Sequence, residues 1–279
     1  MRKKLVLFGM LLLFPSLLFA HELNEVIKKK FPLKPGGVFV LTNRNGDIVI
    51  TPWDNNMVSF TAKKWVKASN SRVAKRVFKE IKVVAEKRGN KVVVNTEYPE
   101  NKGFLLSFLP GRHWEFRVDY QVFVPRKVFL EVESKNGDIE VGEIIGGVYL
   151  STRNGYISGK GISGKIDVSS RNGDITLRSI VGSVSANTRN GNIEVDFSRL
   201  TSTENLSFFS QNGEIILTLP PDVKAKLYLS SENGEISSDF PLKVEKVGRK
   251  ILKGEVNGGG VTIKVKTRNG DIRIEKKRE

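Results

Sequence analysis

The chain has 279 residues, no cysteine, two histidines and a net charge of +16. Without cysteine it can form neither disulfides nor a lipid-anchored N-terminus, and few residues that bind transition metals are left. The length suffices for one sizeable core, and the excess of lysine and arginine favours anionic partners.

Residues 1–20 have the composition of a signal peptide. Arg2, Lys3 and Lys4 form a basic start, Leu5–Phe19 is apolar, and Ala20 offers a cleavage point. We therefore expect the mature chain to begin at the next residue and to lie outside the cytoplasm, in the periplasm or at the cell surface. An uncleaved anchor is the alternative. Because no later apolar run is long enough to span a bilayer, no transmembrane helix is expected after cleavage.

The next segments predict a polar lead-in and then a first structural repeat. Residues 21–35 are polar and predict a loose lead-in, whereas residues 36–126 predict the first repeat joined to a small α/β cap. In the repeat, an alternating strand ends at Leu41, Asn45-Gly46 forms a corner, and Ile48–Ile50 begins a second strand.

The cap occupies most of the 91 residues between the first two Asn-Gly pairs. Met57–Val66 alternates as a strand, and Trp114–Val124 alternates as another. A helix begins at Asn70 or Ser71, and its apolar side consists of Val73, Ala74, Val77, Phe78 and Ile81. A helix with a few strands is what a stack of repeats needs to cover its open end.

Residues 103–110 form an apolar loop bounded by glycine and proline (GFLLSFLP). Two interpretations remain open from the sequence. The loop either folds over the cap and is buried there, or it is a contact surface for a partner or a lipid.

Residues 127–279 repeat the Asn-Gly corner at a nearly fixed spacing. Three successive intervals of 18 residues are followed by intervals of 22, 21 and 36. A fixed period near twenty residues is typical of a solenoid. With the first repeat included, the structural turns are Asn45-Gly46, Asn136-Gly137, Asn154-Gly155, Asn172-Gly173, Asn190-Gly191, Asn212-Gly213, Asn233-Gly234 and Asn269-Gly270.

The columns around these corners predict an all-β fold. Apolar residues stand six and four positions before each Asn, and an isoleucine stands three positions after it, which indicates strands with one buried face. A small polar residue two positions before each Asn is expected to turn inward and satisfy backbone groups at the corner. We predict a β-solenoid with two strands per rung of about 18 residues. The alternative is an antiparallel β-meander or sandwich, since Asn-Gly is also the strongest hairpin signal.

This pattern resembles the bacterial family of "putative adhesins", exported β-solenoid domains of unknown function that are related to the head domains of autotransporter adhesins. The likeness extends from about residue 36 to 275. It rests on Gly46–Ile50 with Trp53-Asp54, Val122–Pro125 leading into Leu130–Val132, and the Gly-Asp-Ile rungs. The resemblance implies a β-solenoid and an adhesive or structural role, and it carries no catalytic residue.

An enzyme, a cofactor and a metal are not expected. The sequence has no serine elbow motif and no metal-ligand cluster, and its acids recur as a column where a catalytic group would break the repeat. A calcium ladder would need a Gly-Gly-x-Gly-x-Asp motif, which is absent. The acidic column, two residues after each Asn, consists of Asp47, Asp138, Asp174, Glu214, Glu235 and Asp271.

Cations dominate the position immediately before each Asn. We define the basic stripe as Lys135, Arg153, Arg171 and Arg189, which stand in the evenly spaced rungs and have the parity of solvent-facing residues. One interpretation is a structural salt ladder with the acidic column. The other is a surface that binds an anionic polymer or a glycan of the cell envelope. Specific nucleic-acid binding is not expected, because no aromatic residues are interleaved to stack bases.

Three outward-facing tyrosines, Tyr149, Tyr156 and Tyr228, could instead stack on sugars. The sequence thus favours a non-enzymatic binding or structural module of the cell envelope. A carbohydrate-active β-helix enzyme and an envelope-stress accessory protein are the alternatives. A cleft with converging acids outside the acidic column would favour the enzyme.

Overall fold

The computed structural model describes residues 21–98, 114–200, 205–248 and 250–278. The predicted signal peptide at 1–20 and the apolar loop at 103–110 lie outside the described residues. Within them the chain forms two strand stacks and one helix, Ser71–Glu80. No described helix is long and apolar enough to cross a membrane.

The first sheet contains the strands that precede the Asn-Gly corners. In spatial order these strands are β5 Lys82–Arg88, β6 Lys91–Glu97, β2 Gly37–Thr42, β8 Val128–Glu133, β10 Val148–Asn154, β12 Ser163–Asn172, β13 Ile175–Asn190, β15 Leu206–Asn212, β21 Val261–Asn269, β17 Ala225–Asn233, β20 Ile251–Val256 and β19 Lys243–Gly248.

The second sheet contains the strands that follow the corners, together with the first residues of β13. In spatial order its other strands are β1 His21–Pro32, β4 Met57–Ala68, β7 Trp114–Pro125, β3 Ile48–Trp53, β9 Ile139–Val141, β11 Ile157–Lys160, β14 Ile193–Arg199, β16 Ile215–Leu219, β22 Ile272–Lys276 and β18 Ile236–Ser238.

Parallel pairing between rungs confirms the solenoid and excludes hairpins at the corners. In the first sheet β10 pairs in parallel with β8 and β12, so that Val148 lies beside Ile166. In the second sheet β11 pairs in parallel with β9 and β13, so that Ile157 lies beside Ile175. The two strands at an Asn-Gly corner therefore pair with the neighbouring rungs and not with each other.

The core fills the space between the two sheets. In the regular rungs every second residue of a strand points inward and is buried, as in the corner-flanking pair Val168 and Ile175. Each such aliphatic side chain contributes about 1.5–3 kcal/mol when it leaves water. The larger aromatic residues Phe197 and Phe208 meet edge to face, with ring centroids 6.5 Å apart.

The predicted α/β cap is present at the N-terminal end of the stack. β6 and β7 extend the two sheets by parallel pairing, and β5, β4 and β1 then close them in antiparallel fashion. The Asn70 side chain caps the helix by accepting from the Arg72 N–H at 2.8 Å. The buried Lys64 ammonium donates to the carbonyls of Phe78 and Ile81 at the other end of the helix. The helix is thus held at both ends.

The loose lead-in predicted after the signal peptide is wrong, because β1 pairs with β4 along its whole length. The inward side of β1 combines apolar residues with charged ones. The sequence therefore lacks the alternation of apolar and polar residues that predicts a strand. Glu25 is accommodated there by an ion pair with the Lys64 ammonium at 2.5 Å. The segment carries three successive lysines, 28–30, on an open sheet edge, where charge discourages pairing with another chain.

The last two rungs do not stack in chain order. β21 lies between β15 and β17, so the Asn269 rung is inserted between the Asn212 and Asn233 rungs. The antiparallel strands β20 and β19 then follow β17 at the open edge of the first sheet. The sequence columns are alike in both rungs and gave no indication of this permutation.

Candidate functional site

An unbroken ladder of asparagine side chains runs along the corners. In each rung the Asn side-chain amide donates to the Oδ1 of its neighbour, for example from Asn154 to Asn136 at 2.7 Å and from Asn172 to Asn154 at 2.6 Å. Seven such bonds of 2.6–2.9 Å connect all eight rungs, in the order 45, 136, 154, 172, 190, 212, 269 and 233. The sequence predicts only a turn-forming role for the Asn. The unvarying residue type was the signal for this ladder.

The glycine after each Asn is required because the rungs approach each other closely. At Gly173 φ is +150°, and a Cβ built there would lie 1.9 Å from the Gly155 carbonyl oxygen. At Gly234 no left-handed φ is present, yet a Cβ would still lie 2.0 Å from the Gly270 oxygen. A positive φ, which the sequence predicts as the role of these glycines, therefore explains only some of the eight positions. Close backbone contact applies at both of these corners.

The small polar column turns inward, as predicted. The hydroxyls of Thr152, Ser170 and Thr188 donate to glycine carbonyls of the preceding rung at 3.1–3.2 Å. In the first rung Asn43 replaces the hydroxyl and donates to the Val118 carbonyl at 2.9 Å. These bonds satisfy backbone oxygens that the bend leaves without a partner.

The aspartates of the acidic column bond to backbone N–H groups, and Glu214 pairs with Arg273 at 2.7 Å, so within the described residues the column forms no salt ladder with the basic stripe. The Asp138 carboxylate accepts the Tyr156 backbone N–H at 2.8 Å, and the Asp174 carboxylate accepts that of Asn192 at 2.7 Å. Asn192 itself accepts the Glu214 N–H at 2.8 Å through its amide oxygen. An uncharged amide thus makes the same bond as the carboxylates do, so this bond does not require a negative charge.

The basic stripe lies on the opposite side of the Asn ladder. Lys135, Arg153, Arg171 and Arg189 are all exposed, and their rungs are in register through β10, β12 and β13. Neighbouring members are therefore about 4.8 Å apart at the backbone. Within the described residues none of the four has an ion pair, whereas Arg268, in the same column, contacts Glu232 at 3.1 Å. The structure thus brings the four predicted site residues together on one line and leaves their charges unneutralised.

The three outward-facing tyrosines are separated. Tyr149 and Tyr228 stand on the outer face of the first sheet, and Tyr156 stands in the acidic column, with exposed fractions of 39%, 36% and 58%. They do not form one aromatic site.

Two tyrosines, Tyr120 (buried) and Tyr98 (half-buried), belong to the cap. Tyr120 shares a hydrogen bond of 2.5 Å with the Thr96 hydroxyl, and Tyr98 donates to the Asn43 side chain. Burial raises the pKa of both phenols, so both remain protonated at neutral pH.

The described residues hold no group of three or more His, Cys, Asp or Glu side chains that could bind a metal. A shallow depression at the second bend of the C-terminal rungs is lined by Arg199, Pro220, Asp222 and Lys224 among others, with a single carboxylate. A pair of carboxylates flanking a glycosidic bond, as glycoside hydrolysis needs, is not formed there.

Several solved structures are similar to this chain, among them two bacterial proteins. A putative cell adhesion protein from Clostridium sporogenes ATCC 15579 is 14% identical, with a TM-score of 0.36, over 91% of this chain and 100% of the other. A putative adhesin from Bacteroides fragilis NCTC 9343 is 11% identical, with a TM-score of 0.44, over 91% of this chain and 97% of the other. Similarity at this level does not bear on function.

A search of curated proteins finds no match. At the level of families, residues 130–275 match the family described as Toastrack DUF4097. The matched region begins in β8 and ends in β22, so it contains the regular rungs, the basic stripe and the permuted pair. It covers more than half of the 279 residues. The chain therefore belongs to the Toastrack DUF4097 family.

Proposed function

We propose that this protein is an exported, non-enzymatic surface module of the cell envelope that binds an anionic polymer through the basic stripe. The observation that carries the proposal is the alignment of four exposed cations without an ion pair in the described part of the chain.

The four cations of the basic stripe repel one another, and a bound polyanion would relieve this repulsion. Two unit charges about 5 Å apart in water repel by roughly 0.8 kcal/mol, and the stripe has three such neighbouring pairs. The Asp138 and Asp174 carboxylates are directed to backbone N–H groups of the next rung, and within the described residues the acidic column forms no ion pair with the basic stripe. A polymer with regularly spaced negative charges would replace these repulsions by attractions.

Binding of this kind would depend on the number of contacts. Each exposed charge pair contributes little, typically about 0.2–1 kcal/mol, so affinity would come from several pairs formed together. The net charge of +16 would draw a polyanion toward the protein, and salt would weaken the attraction.

Export is supported by the basic and apolar composition of residues 1–20. We expect the native protein to begin at or near His21, and N-terminal sequencing of the protein from its own cells tests this. An intact Met1 in the cytoplasmic fraction would contradict export.

Charge reversal tests the basic stripe. The double variant Arg153→Glu, Arg171→Glu should elute from an immobilised anionic polysaccharide at clearly lower salt than wild type, with a 10- to 30-fold weaker affinity, roughly, for two reversed contacts. The matched control is Arg72→Glu, Arg76→Glu on exposed positions of the helix, which changes the net charge equally. If both double variants elute alike, the attraction comes from net charge and not from the basic stripe.

A further inference from the structure

The rung permutation extends the cationic surface beyond the basic stripe. In chain order the Asn233 rung would lie next to the Asn212 rung and would place Tyr228, Ser230 and Glu232 on the outer face, with no cation among them. Because β21 is inserted, Lys264 and Lys266 lie beside Ser207 and Phe209 of β15 instead. The basic stripe ends at Arg189, because Gln211 takes the same position in the Asn212 rung, and the inserted rung brings cations back to the outer face one rung later.

Two exposed aromatic rings stand beside these lysines. Phe209 pairs in register with Lys266 on one side of β21, and Tyr228 pairs with Lys264 on the other. The rings are 39% and 36% exposed, and the strand spacings place them about 12 Å apart on a diagonal. The Lys253 ammonium lies 5.5 Å from the centre of the Tyr228 ring. Aromatic faces and ammonium groups thus alternate within one patch.

Between this patch and the basic stripe the sheet surface is flat and polar. We call this surface the polar floor; it consists of Ser151, Asp167, Ser169, Ser185, Asn187 and Ser207, of which only Asp167 carries a negative charge. Two further carboxylates, Glu131 and Glu133, face outward beside it in the Asn136 rung. The hydroxyls of Ser151 and Ser169 bond to each other at 3.1 Å and keep free lone pairs for a ligand. Small side chains leave room for a chain molecule to lie against the backbone of the sheet.

We propose that this outer face binds a linear polysaccharide of acidic sugars, lying across the rungs from the basic stripe to Tyr228. Carboxylates or sulfates pair with the arginines and with Lys264, hydroxyls bond to the polar floor, and ring faces stack on Phe209 and Tyr228. Lys266 lies beside Phe209, and its ammonium is 3.9 Å from the Glu232 carboxylate. The proposal rests on the proposed function and names its ligand class. From the Asn136 rung to the Asn233 rung the surface is about 29 Å long.

The three parts of the surface distinguish this ligand from other polyanions. A polyphosphate has charges but neither ring faces nor a row of hydroxyls. It would therefore neither stack on the aromatic rings nor form hydroxyl bonds to the polar floor. Single-stranded nucleic acid stacks successive bases on closely spaced aromatic rings. Here the two rings are separated by the rung that carries Lys264 and Lys266. This spacing fits a polysaccharide in which charged sugar units alternate with the units that stack on the rings.

The test compares three probes: polygalacturonate, inorganic polyphosphate and single-stranded oligothymidylate, at one fixed salt concentration. The double variant Phe209→Ala, Tyr228→Ala should bind polygalacturonate about three- to tenfold more weakly, the range expected for lost ring contacts. Its affinity for polyphosphate should be unchanged. Tyr156→Ala is the control, because this ring is exposed in the acidic column and outside the proposed surface. A Leu pair at 209 and 228 keeps apolar volume without ring faces and should behave as the Ala pair does.

The outcomes separate the two proposals. If the Ala and Leu pairs bind polygalacturonate as wild type does while Arg153→Glu, Arg171→Glu still weakens it, the acidic-sugar assignment fails and the proposed function stands. If the arginine variant binds all three probes as wild type does, the proposed function itself fails. Tighter binding of oligothymidylate than of polygalacturonate, lost in the Ala pair, would overturn the ligand class in favour of nucleic acid.

Discussion

Two charged columns flank the same row of corners, and they have different roles. The acidic column is three residues from the basic stripe along the chain and recurs at the same interval, so the sequence presents them as partners. In the structure the Asp174 carboxylate is held by the Asn192 N–H, whereas Arg153 and Arg171 have no ion pair among the described residues. Charged residues that recur in every rung can thus accept backbone hydrogen bonds on one side of a bend and remain without an ion pair on the other.

This difference separates substitutions that affect stability from those that affect binding. Changes at the Asn, the Gly and the acidic column should lower the free energy of unfolding without altering polyanion affinity. Changes in the basic stripe should do the reverse.

The largest effect on stability is expected for Gly173→Ala. The new Cβ would lie 1.9 Å from the Gly155 oxygen, so the rungs must move apart, at a cost of about 3 kcal/mol. Gly248→Ala is the control, because nothing lies within 4 Å of a Cβ there. Urea unfolding measures both. Equal midpoints for the two variants would show that close contact at the corner is not limiting.

Asn172→Ala should be the next most destabilising change. It removes the bond to Asn154 and the one accepted from Asn190, and two net hydrogen bonds amount to about 2 kcal/mol. Asn233→Ala, at the end of the ladder, removes one of these bonds and should cost about half as much. A larger loss at position 233 than at 172 would contradict the ladder.

Asp174→Ala should have a smaller effect, about 1 kcal/mol, because it deprives one backbone N–H of its acceptor. Asp174→Asn should behave as wild type, since Asn192 already fills the same position in the next rung. Thermal unfolding of the two variants decides between acceptor and charge. Equal destabilisation in both would mean that the charge itself matters.

The sequence predicted the features that depend on one rung at a time. The alternation around each corner, the inward hydroxyl of Thr152 and the helix capped by Asn70 all follow from local pattern. It failed where a contact joins two rungs. The Asp174 bond and the position of β21 depend on which rung lies next to which, and nothing within one rung specifies its neighbour.

The lead-in shows a related failure inside the cap. Glu25 interrupts the apolar side of β1, and its ion pair with Lys64 exists only once β4 and the helix are in place. The sequence predicts the basic stripe as a column of cations. It does not predict that these cations lack ion-pair partners, because that depends on the bonds of the acidic column to backbone N–H groups of the next rung.

The salt dependence of polyanion binding tests the central claim most directly. Each cation that pairs with a polyanion adds to the slope of log affinity against log salt, by roughly 0.7–0.9 for nucleic acids. We expect that slope to become shallower in steps from wild type to Arg153→Ala and then to Arg153→Ala, Arg171→Ala, with the free energy of unfolding unchanged within about 0.5 kcal/mol. Asp174→Ala should keep the wild-type slope while unfolding at a lower temperature. One common slope for wild type and both arginine variants would contradict the account.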